Sequence, residues 1–209
     1  MATAIKIVDS YSESNKNTAR GIAAEGSGYN PGHSQTFTGN SAILNQVKWY
    51  LKKINSPTGN IVAKIYASFD GKPNGEALAT SDVVDVSTLN NLDYALVIFT
   101  FSGINKITLV NTTTYNVSAE YYGGDGSNFV GIGMGTTSPV GTSSVFDGTN
   151  WGTTSTTFTY CFYVYKDTMQ VKVGADWKLG SAMQIQISSA WKAVTKAQIQ
   201  IDNVWKSIF

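Results

Sequence analysis

A chain of 209 residues that is 42% hydrophobic and only 14% charged has material for one ordinary domain and a short appendage, and a second large domain is not expected. Its net charge of +1 and its single arginine, Arg20, leave no basic stripe able to displace counterions from a phosphate backbone, so nucleic acid is not an expected partner. No stretch approaches the roughly 18 apolar residues of a membrane-spanning helix, and Met1 to Lys6 shows no charged segment leading into an apolar one, so neither membrane insertion nor export is expected.

The chain opens with a strand-like Ala4-Ile5-Lys6-Ile7-Val8 and then turns small and polar as far as Asn30. Residues 1–33 are read as an N-terminal arm that adds a strand to the following domain or to a neighbouring subunit. From there to 167 the sequence alternates with period two between Gly, Pro, Asn and Asp clusters, the pattern of an antiparallel β-sandwich. Alternation is clearest at Gln46 to Ile54, where Val47, Trp49 and Leu51 share one face and Lys48, Tyr50 and Lys52 the other. Further strands are expected at Gln35–Phe37, Asn60–Ser68, Ala77–Val86, Tyr94–Phe101, Lys106–Val110, Thr114–Tyr122, Asn128–Gly133 and Thr156–Tyr165. Ser56-Pro57-Thr58-Gly59, the run from Asp70 to Gly75, and Asp147-Gly148 carry turn chemistry. No segment repeats apolar residues at spacings of three and four, so no long helix is expected.

Residues 168–209 hold a short repeat. Met169-Gln170-Val171-Lys172-Val173 recurs as Met183-Gln184-Ile185-Gln186-Ile187 and as Ala197-Gln198-Ile199-Gln200-Ile201, each followed by a turn and Trp-Lys. Trp177, Trp191 and Trp205 stand 14 residues apart. Each copy reads as a hairpin, with turns such as Gly174-Ala175-Asp176 or Asp202-Asn203. Burying one indole contributes about 4–6 kcal/mol gross, whereas fixing each backbone residue costs about 1–2 kcal/mol. One unit therefore cannot fold alone, and the three tryptophans are expected to serve assembly, by stacking of copies or joining across subunits. A meander folded back on the sandwich is the alternative.

Chemistry is sparse. Cys161 is the only cysteine, so no intrachain disulfide can form, and its aromatic surroundings mark it as a packing residue. His33 is the only histidine and is expected to face solvent from a loop at Asn30 to Ser34, which leaves no Cys/His pair and no zinc constellation. Neither a metal nor any other cofactor is expected. Asp70, Glu76, Asp82 and Asp85 are close enough in sequence to offer paired carboxylates for glycoside hydrolysis, but all lie in or beside turns, where acids usually act as turn formers. Gly123-Gly124-Asp125-Gly126-Ser127-Asn128 resembles one copy of a glycine-rich calcium nonapeptide, with Asn128 where that pattern has aspartate; a single copy cannot build the stacked turns that chelate the ion. The candidate ligand-binding residues are therefore Trp151, Tyr121 and Tyr122, whose rings can stack on a sugar face, with Asp125 and Asn128 in the neighbouring loop. Core packing or hairpin support is the alternative for each ring.

Several segments together, Ile7 to Asn15, Ser34 to Thr38, Val47 to Lys53 with Ser56 to Asn60, and Cys161 to Tyr165, resemble a jelly-roll domain of tailed-bacteriophage virion proteins and of anchored bacterial surface proteins. The Trp-Lys repeat separately resembles hairpin arrays of phage tail and fibre proteins. The resemblance implies a virion structural protein without enzymatic activity, a tail-fibre or receptor-binding part or a head-decoration fibre. It would be assembled in the host cytoplasm as a homotrimer, with other virion proteins as partners. A carbohydrate-binding module for a host-surface glycan is the alternative function, and a glycan-cleaving enzyme the third.

Overall fold

The computed structural model describes residues 4–168 and, after them, 170–173, 176–179, 184–187, 190–193, 198–201 and 204–207. The chain divides into one unit over Ile5–Asp167 and a second that includes Thr168–Phe209. The first unit is built from β1 (Ala4–Tyr11), β2 (Thr18–Ile22), β3 (Gly32–Thr38), β4 (Ala42–Ile54), β5 (Asn60–Phe69), β6 (Lys72–Thr80), β7 (Val84–Asp85), β8 (Ala95–Thr100), β9 (Thr108–Leu109), β10 (Thr114–Glu120), β11 (Phe129–Gly135), β12 (Ser143–Phe146), β13 (Trp151–Ser155), β14 (Thr159–Tyr160) and β15 (Phe162–Thr168). Three short 3₁₀ turns are the only helical elements among the described residues.

The strands form two sheets. In one, β1, β15 and β4 are successive neighbours, with β8 on β4; in the other the order is β3, β10, β5, β6. Taken along the chain, these eight strands pair first with last, second with seventh, third with sixth and fourth with fifth. That nesting is a long ribbon folded in half and rolled, the strand order of a jelly roll. The fold is thus an all-β antiparallel sandwich. Strands β2, β11 and β14 extend the first sheet, and β12 and β13 extend the second beyond β3. The N-terminal residues read as an arm supply β1 and β2 to this same sheet.

Amphipathic alternation places the core. Val47, Trp49 and Leu51 are fully buried, while Lys48, Tyr50 and Lys52 of the same strand are half-buried. Ile61, Ala63 and Ile65 of β5 and Tyr115, Val117 and Ala119 of β10 face them from the other sheet. Trp49 spans the layer: its Nε1–H donates to the Ser118 carbonyl across the sandwich at 3.3 Å, and its ring packs against Tyr160 and Phe162. Between β5 and β6, Asp70 (φ 51°) and Gly71 (φ 74°) both take the left-handed conformation, the geometry a two-residue hairpin turn demands. Strand β6 consequently begins at Lys72, inside the stretch that the sequence marks as a turn. β2, β12 and β13 were also not expected.

His33 corrects the sequence reading. Strand β3 starts at Gly32, and the imidazole is buried on its inner side rather than facing solvent. Its Nε2 lies 2.9 Å from the Gly21 carbonyl and its Nδ1 lies 2.8 Å from the Tyr160 hydroxyl. A carbonyl can only accept, so Nε2 carries the proton and Nδ1 accepts from Tyr160. The Asn30-Pro31-Gly32 run gives a loop signal that ends one residue before the histidine. Cys161 is buried as expected, and burial pushes its thiol up to about 12.

In the C-terminal unit, Gln170–Val173 pairs with Asp176–Leu179, Gln184–Ile187 with Ala190–Ala193, and Gln198–Ile201 with Val204–Ser207. The register repeats in each: Lys172 opposite Trp177, Gln186 opposite Trp191, Gln200 opposite Trp205. The three units are therefore hairpins, with Asp176 in a return strand rather than in the turn. The assembly role of Trp177, Trp191 and Trp205 rests on side chains that lie outside the described part of the structure.

Burial holds the His33 pKa down to about 4, from an ordinary value of 6.5. Above 6.5 the ring is neutral in both folded and unfolded chains. Between 6.5 and about 4 the unfolded chain takes up a proton that the folded one refuses, so this residue costs stability as the pH falls, by up to about 3 kcal/mol. Urea unfolding at pH 7 and pH 4 should show a loss that much smaller in His33→Gln than in wild type; parallel pH profiles would contradict the assignment.

Candidate functional site

Cross-strand register decides which side chains share the outer face of the second sheet, because residues directly opposite one another point the same way. One row runs Glu120, Gly32, Phe146, Trp151 across β10, β3, β12 and β13. The next runs Lys64, Ser118, Ser34, Ser144 across β5, β10, β3 and β12. Tyr66 and Asn116 follow in the third. The face is polar in sequence yet largely covered. The tip of the β5–β6 hairpin lies over it, with the Gly71 carbonyl accepting from Asn116 Nδ2 at 3.2 Å.

Glu120 is the centre of this face. Its carboxylate is 1% exposed and accepts four hydrogen bonds: from Tyr66 (2.8 Å) and Ser118 (2.7 Å) at Oε1, and from Lys64 (2.6 Å) and Tyr122 (2.7 Å) at Oε2. Burial alone would raise its pKa, but the Lys64 ammonium and the hydroxyl donors outweigh that, and the net displacement is downward. The group is a fixed anion at neutral pH. Tyr66 and Tyr122 are pushed the other way, by burial first and then by the same carboxylate, and stay protonated donors.

Aromatic rings stand beside the anion. Trp151, half-buried on β13, packs at 5.2 Å from Phe146 and at 5.9 Å, edge-on, from Tyr66; Tyr122 meets Phe146 edge-on at 6.3 Å. Gly32 forms the floor. A Cβ there would lie 3.0 Å from Phe146 Cβ, 3.2 Å from Glu120 Cγ and 3.3 Å from the Trp151 ring, so the absence of a side chain lets the rings settle onto the strand. Tyr122 is 54% exposed. The result is a half-open aromatic surface braced by the Lys64–Glu120 ion pair, able to stack on an apolar ring face while the partly exposed Lys64 ammonium stands at its margin.

The structure thus brings Trp151 and Tyr122 together and separates Tyr121 from them. Tyr121 is fully buried, with its hydroxyl donating to the Thr58 carbonyl at 2.7 Å. It is a core residue, not a ligand contact, because the strand alternation that exposes Tyr122 turns its neighbour inward. Asp125 and Asn128 bond each other. Asp125 Oδ1 accepts from the backbone N–H of Ser127 (2.7 Å) and Asn128 (2.8 Å), and Asn128 Nδ2 donates to both carboxylate oxygens. Asn128 Oδ1 in turn accepts from the Ser56 N–H. These bonds pin the 123–128 loop to the 55–56 turn, and a cation at Asp125 would have to displace them.

Three of the four acids considered for hydrolysis have structural places of their own. Asp85 caps a 3₁₀ turn through the Ser87 N–H at 2.8 Å, Asp82 accepts from the Ser102 hydroxyl at 2.9 Å, and Asp70 occupies the left-handed turn position. Glu120, Lys64, Tyr66 and Phe146 are the site residues that sequence reading missed. Alternation within Thr114–Tyr122 does put Glu120 on one face with Asn116 and Ser118, but its lysine partner lies on another strand 56 residues away. No protein-family model and no curated protein matches the sequence.

Replacing Glu120 by Gln presents an amide to four donors with one fewer charge and is expected to destabilise the fold by about 3 kcal/mol, the lower end of the range for breaking a buried pair. Chemical denaturation of the two proteins at pH 7 reads this directly, and a change below about 1 kcal/mol would contradict the central place given to the carboxylate.

Proposed function

We propose that the chain is a non-enzymatic structural component of a tailed-bacteriophage particle, a tail-fibre or receptor-binding part or a head-decoration fibre. The observation that carries this reading is the conjunction of a jelly-roll strand order with three hairpins of one register and one 14-residue period. Short hairpins of this kind gain stability by sharing apolar faces with further copies, so a repeat is suited to joining subunits or particle parts. A homotrimer bound to other virion proteins is the assembly that fits this use. Removing residues 169–209 should abolish incorporation into particles, as read by immunoblot of purified virions; normal incorporation would overturn the assignment of that end as the anchor.

A second reading, recognition of a host-surface glycan by the sandwich, is favoured by the aromatic surface of Trp151, Phe146 and Tyr122 beside the Glu120 cluster. Binding is preferred over cleavage because each carboxylate oxygen of Glu120 already accepts two hydrogen bonds, which leaves the group ill placed to activate a water or protonate a leaving group. Trp151→Ala should weaken glycan binding about tenfold or more, equivalent to about 1.4 kcal/mol, on an array of bacterial surface polysaccharides. Unchanged binding by the variant would remove Trp151 from the site, and no binding by wild type would leave the sandwich with an architectural role.

A further inference from the structure

The second sheet rolls until its two edges meet. Its strand order runs from β13 at one edge to β6 at the other, and no strand pairing joins the two, yet β6 comes into contact with β13. The meeting is therefore a seam between edges and not a closed barrel. Across the roll, Tyr66 packs edge-on against Trp151 at 5.9 Å. The tip of the β5–β6 hairpin reaches as far as β10 and the residue before β12: Asn116 Nδ2 donates to the Gly71 carbonyl at 3.2 Å, and a Cβ on Gly71 would lie 2.7 Å from Thr142 Cγ2. Ile65 pairs with Ala79 but Ala67 with Asn74, so residues 75–78 bulge out opposite Tyr66 alone, with Gly75 in the left-handed conformation (φ 71°). The distal part of the hairpin is thus joined to the sheet through an irregular segment and not a continuous ladder.

What the roll encloses is polar. Ser34, Ser118, Ser144 and Asn116 are all at most 1% exposed, on a sheet face whose composition suits water. Their hydrogen bonds do not close among the described residues. Ser34 Oγ lies 2.6 Å from Ser144 Oγ and also accepts from Asn116 Nδ2 at 3.3 Å; two hydroxyls that share one bond leave one of their protons over. Asn116 Oδ1 has no donor. A spare donor and a spare acceptor thus stand in one enclosed place, where each is costly until it is met. A hydroxyl group is donor and acceptor at once and answers both.

We propose that the seam between β6 and β13 parts and that the trough behind it holds an uncharged, linear oligosaccharide, one ring of which stacks on Trp151. The proposal rests on the glycan reading given above and deepens it. Serine hydroxyls and an amide match sugar hydroxyls, and the charged pair of the trough, Lys64 and Glu120, is neutralised internally, which favours a ligand without charge. Gly32, Ser34 and Thr36 follow one another on this face of β3, and four residues of strand span about 13 Å, more than one sugar ring. A chain is therefore favoured over a monosaccharide.

The test is titration of the full chain with cellohexaose, maltohexaose and chitohexaose at millimolar concentration, followed by amide and indole signals, with glucose and N-acetylglucosamine in parallel. At least one hexaose should shift the Asn116 side-chain amide and the backbone amides of Ser34 and Ser144 together with the Trp151 indole, and should bind about tenfold or more tightly than its monosaccharide. Parting of the seam is read separately, by iodoacetamide alkylation of Ser144→Cys and of Ser34→Cys. Each introduced thiol should react in native buffer at a rate that low urea leaves unchanged. The hexaose that binds should slow this reaction while alkylation of Cys161, which lies outside the second sheet, stays as it was. Three results would overturn the proposal. No hexaose may shift the trough signals, which leaves a trapped water as the partner of Asn116; shifts confined to Trp151 and Tyr122 keep the aromatic surface and remove the trough; alkylation that begins only as urea unfolds the sandwich makes the seam fixed.

Discussion

Two sheets can be held face to face only if every polar group caught between them finds a partner in the same thin layer. The sandwich meets that constraint at a few named points. Trp49 gives its indole N–H to the Ser118 carbonyl of the opposite sheet, and His33, from the second sheet, joins Gly21 and Tyr160 of the first. Gln35, also from the second sheet, accepts at Oε1 from the Tyr160 N–H of the first at 3.4 Å. These bonds do more than avoid a desolvation cost. Apolar packing alone is tolerant of sliding, whereas a hydrogen bond across the layer accepts only one alignment, so they fix how the two faces meet. The positions of Gly21, β3 and Tyr160 follow from that alignment, and with β3 the floor beneath Trp151.

The same local device recurs on the outside. A glycine in a strand ordinarily weakens it, yet Gly21, Gly32 and Gly131 each lie under or beside an aromatic ring that a Cβ would push away. Flattening the strand at those points turns a pleated surface into a shelf. The aromatic surface around Trp151 is thus a place where a missing side chain, and not a particular reactive group, makes room.

Much of the architecture is written in alternation. The segment around Trp49 has its inner and outer residues in the order that period two dictates, and the absence of a helical pattern is matched by an all-β fold among the described residues. The hairpins of the tail were legible for a simpler reason, since a repeat multiplies a weak signal. Strands β2, β12 and β13 escaped because Thr-Ala-Arg-Gly-Ile, Ser-Ser-Val-Phe and Trp-Gly-Thr-Thr-Ser are mostly small or polar on both faces, and their stability comes from neighbours distant in sequence. His33 was misplaced because loop chemistry ends abruptly at Gly32. Glu120 was only half legible: Ser118 and Tyr122 stand two residues to either side of it, but only the register of β5 against β10 brings Lys64 and Tyr66 to it.

Cys161 occupies the short gap between β14 and β15, where its N–H reaches the Gly133 carbonyl and its carbonyl receives the Tyr50 N–H. Its sulfur is enclosed, and the thiolate that an alkylating reagent needs is suppressed by the same enclosure. Tyr160 and Phe162 on either side of it pack on Trp49 within the layer, so the thiol faces the outer side of the sheet near Tyr11, Glu13 and Lys16. The molecule therefore carries its own clock: modification of this one thiol waits for that cover to lift, and its rate reports how often it does. A cysteine introduced at any exposed position would react long before it, so probes can be attached singly without first removing the native one.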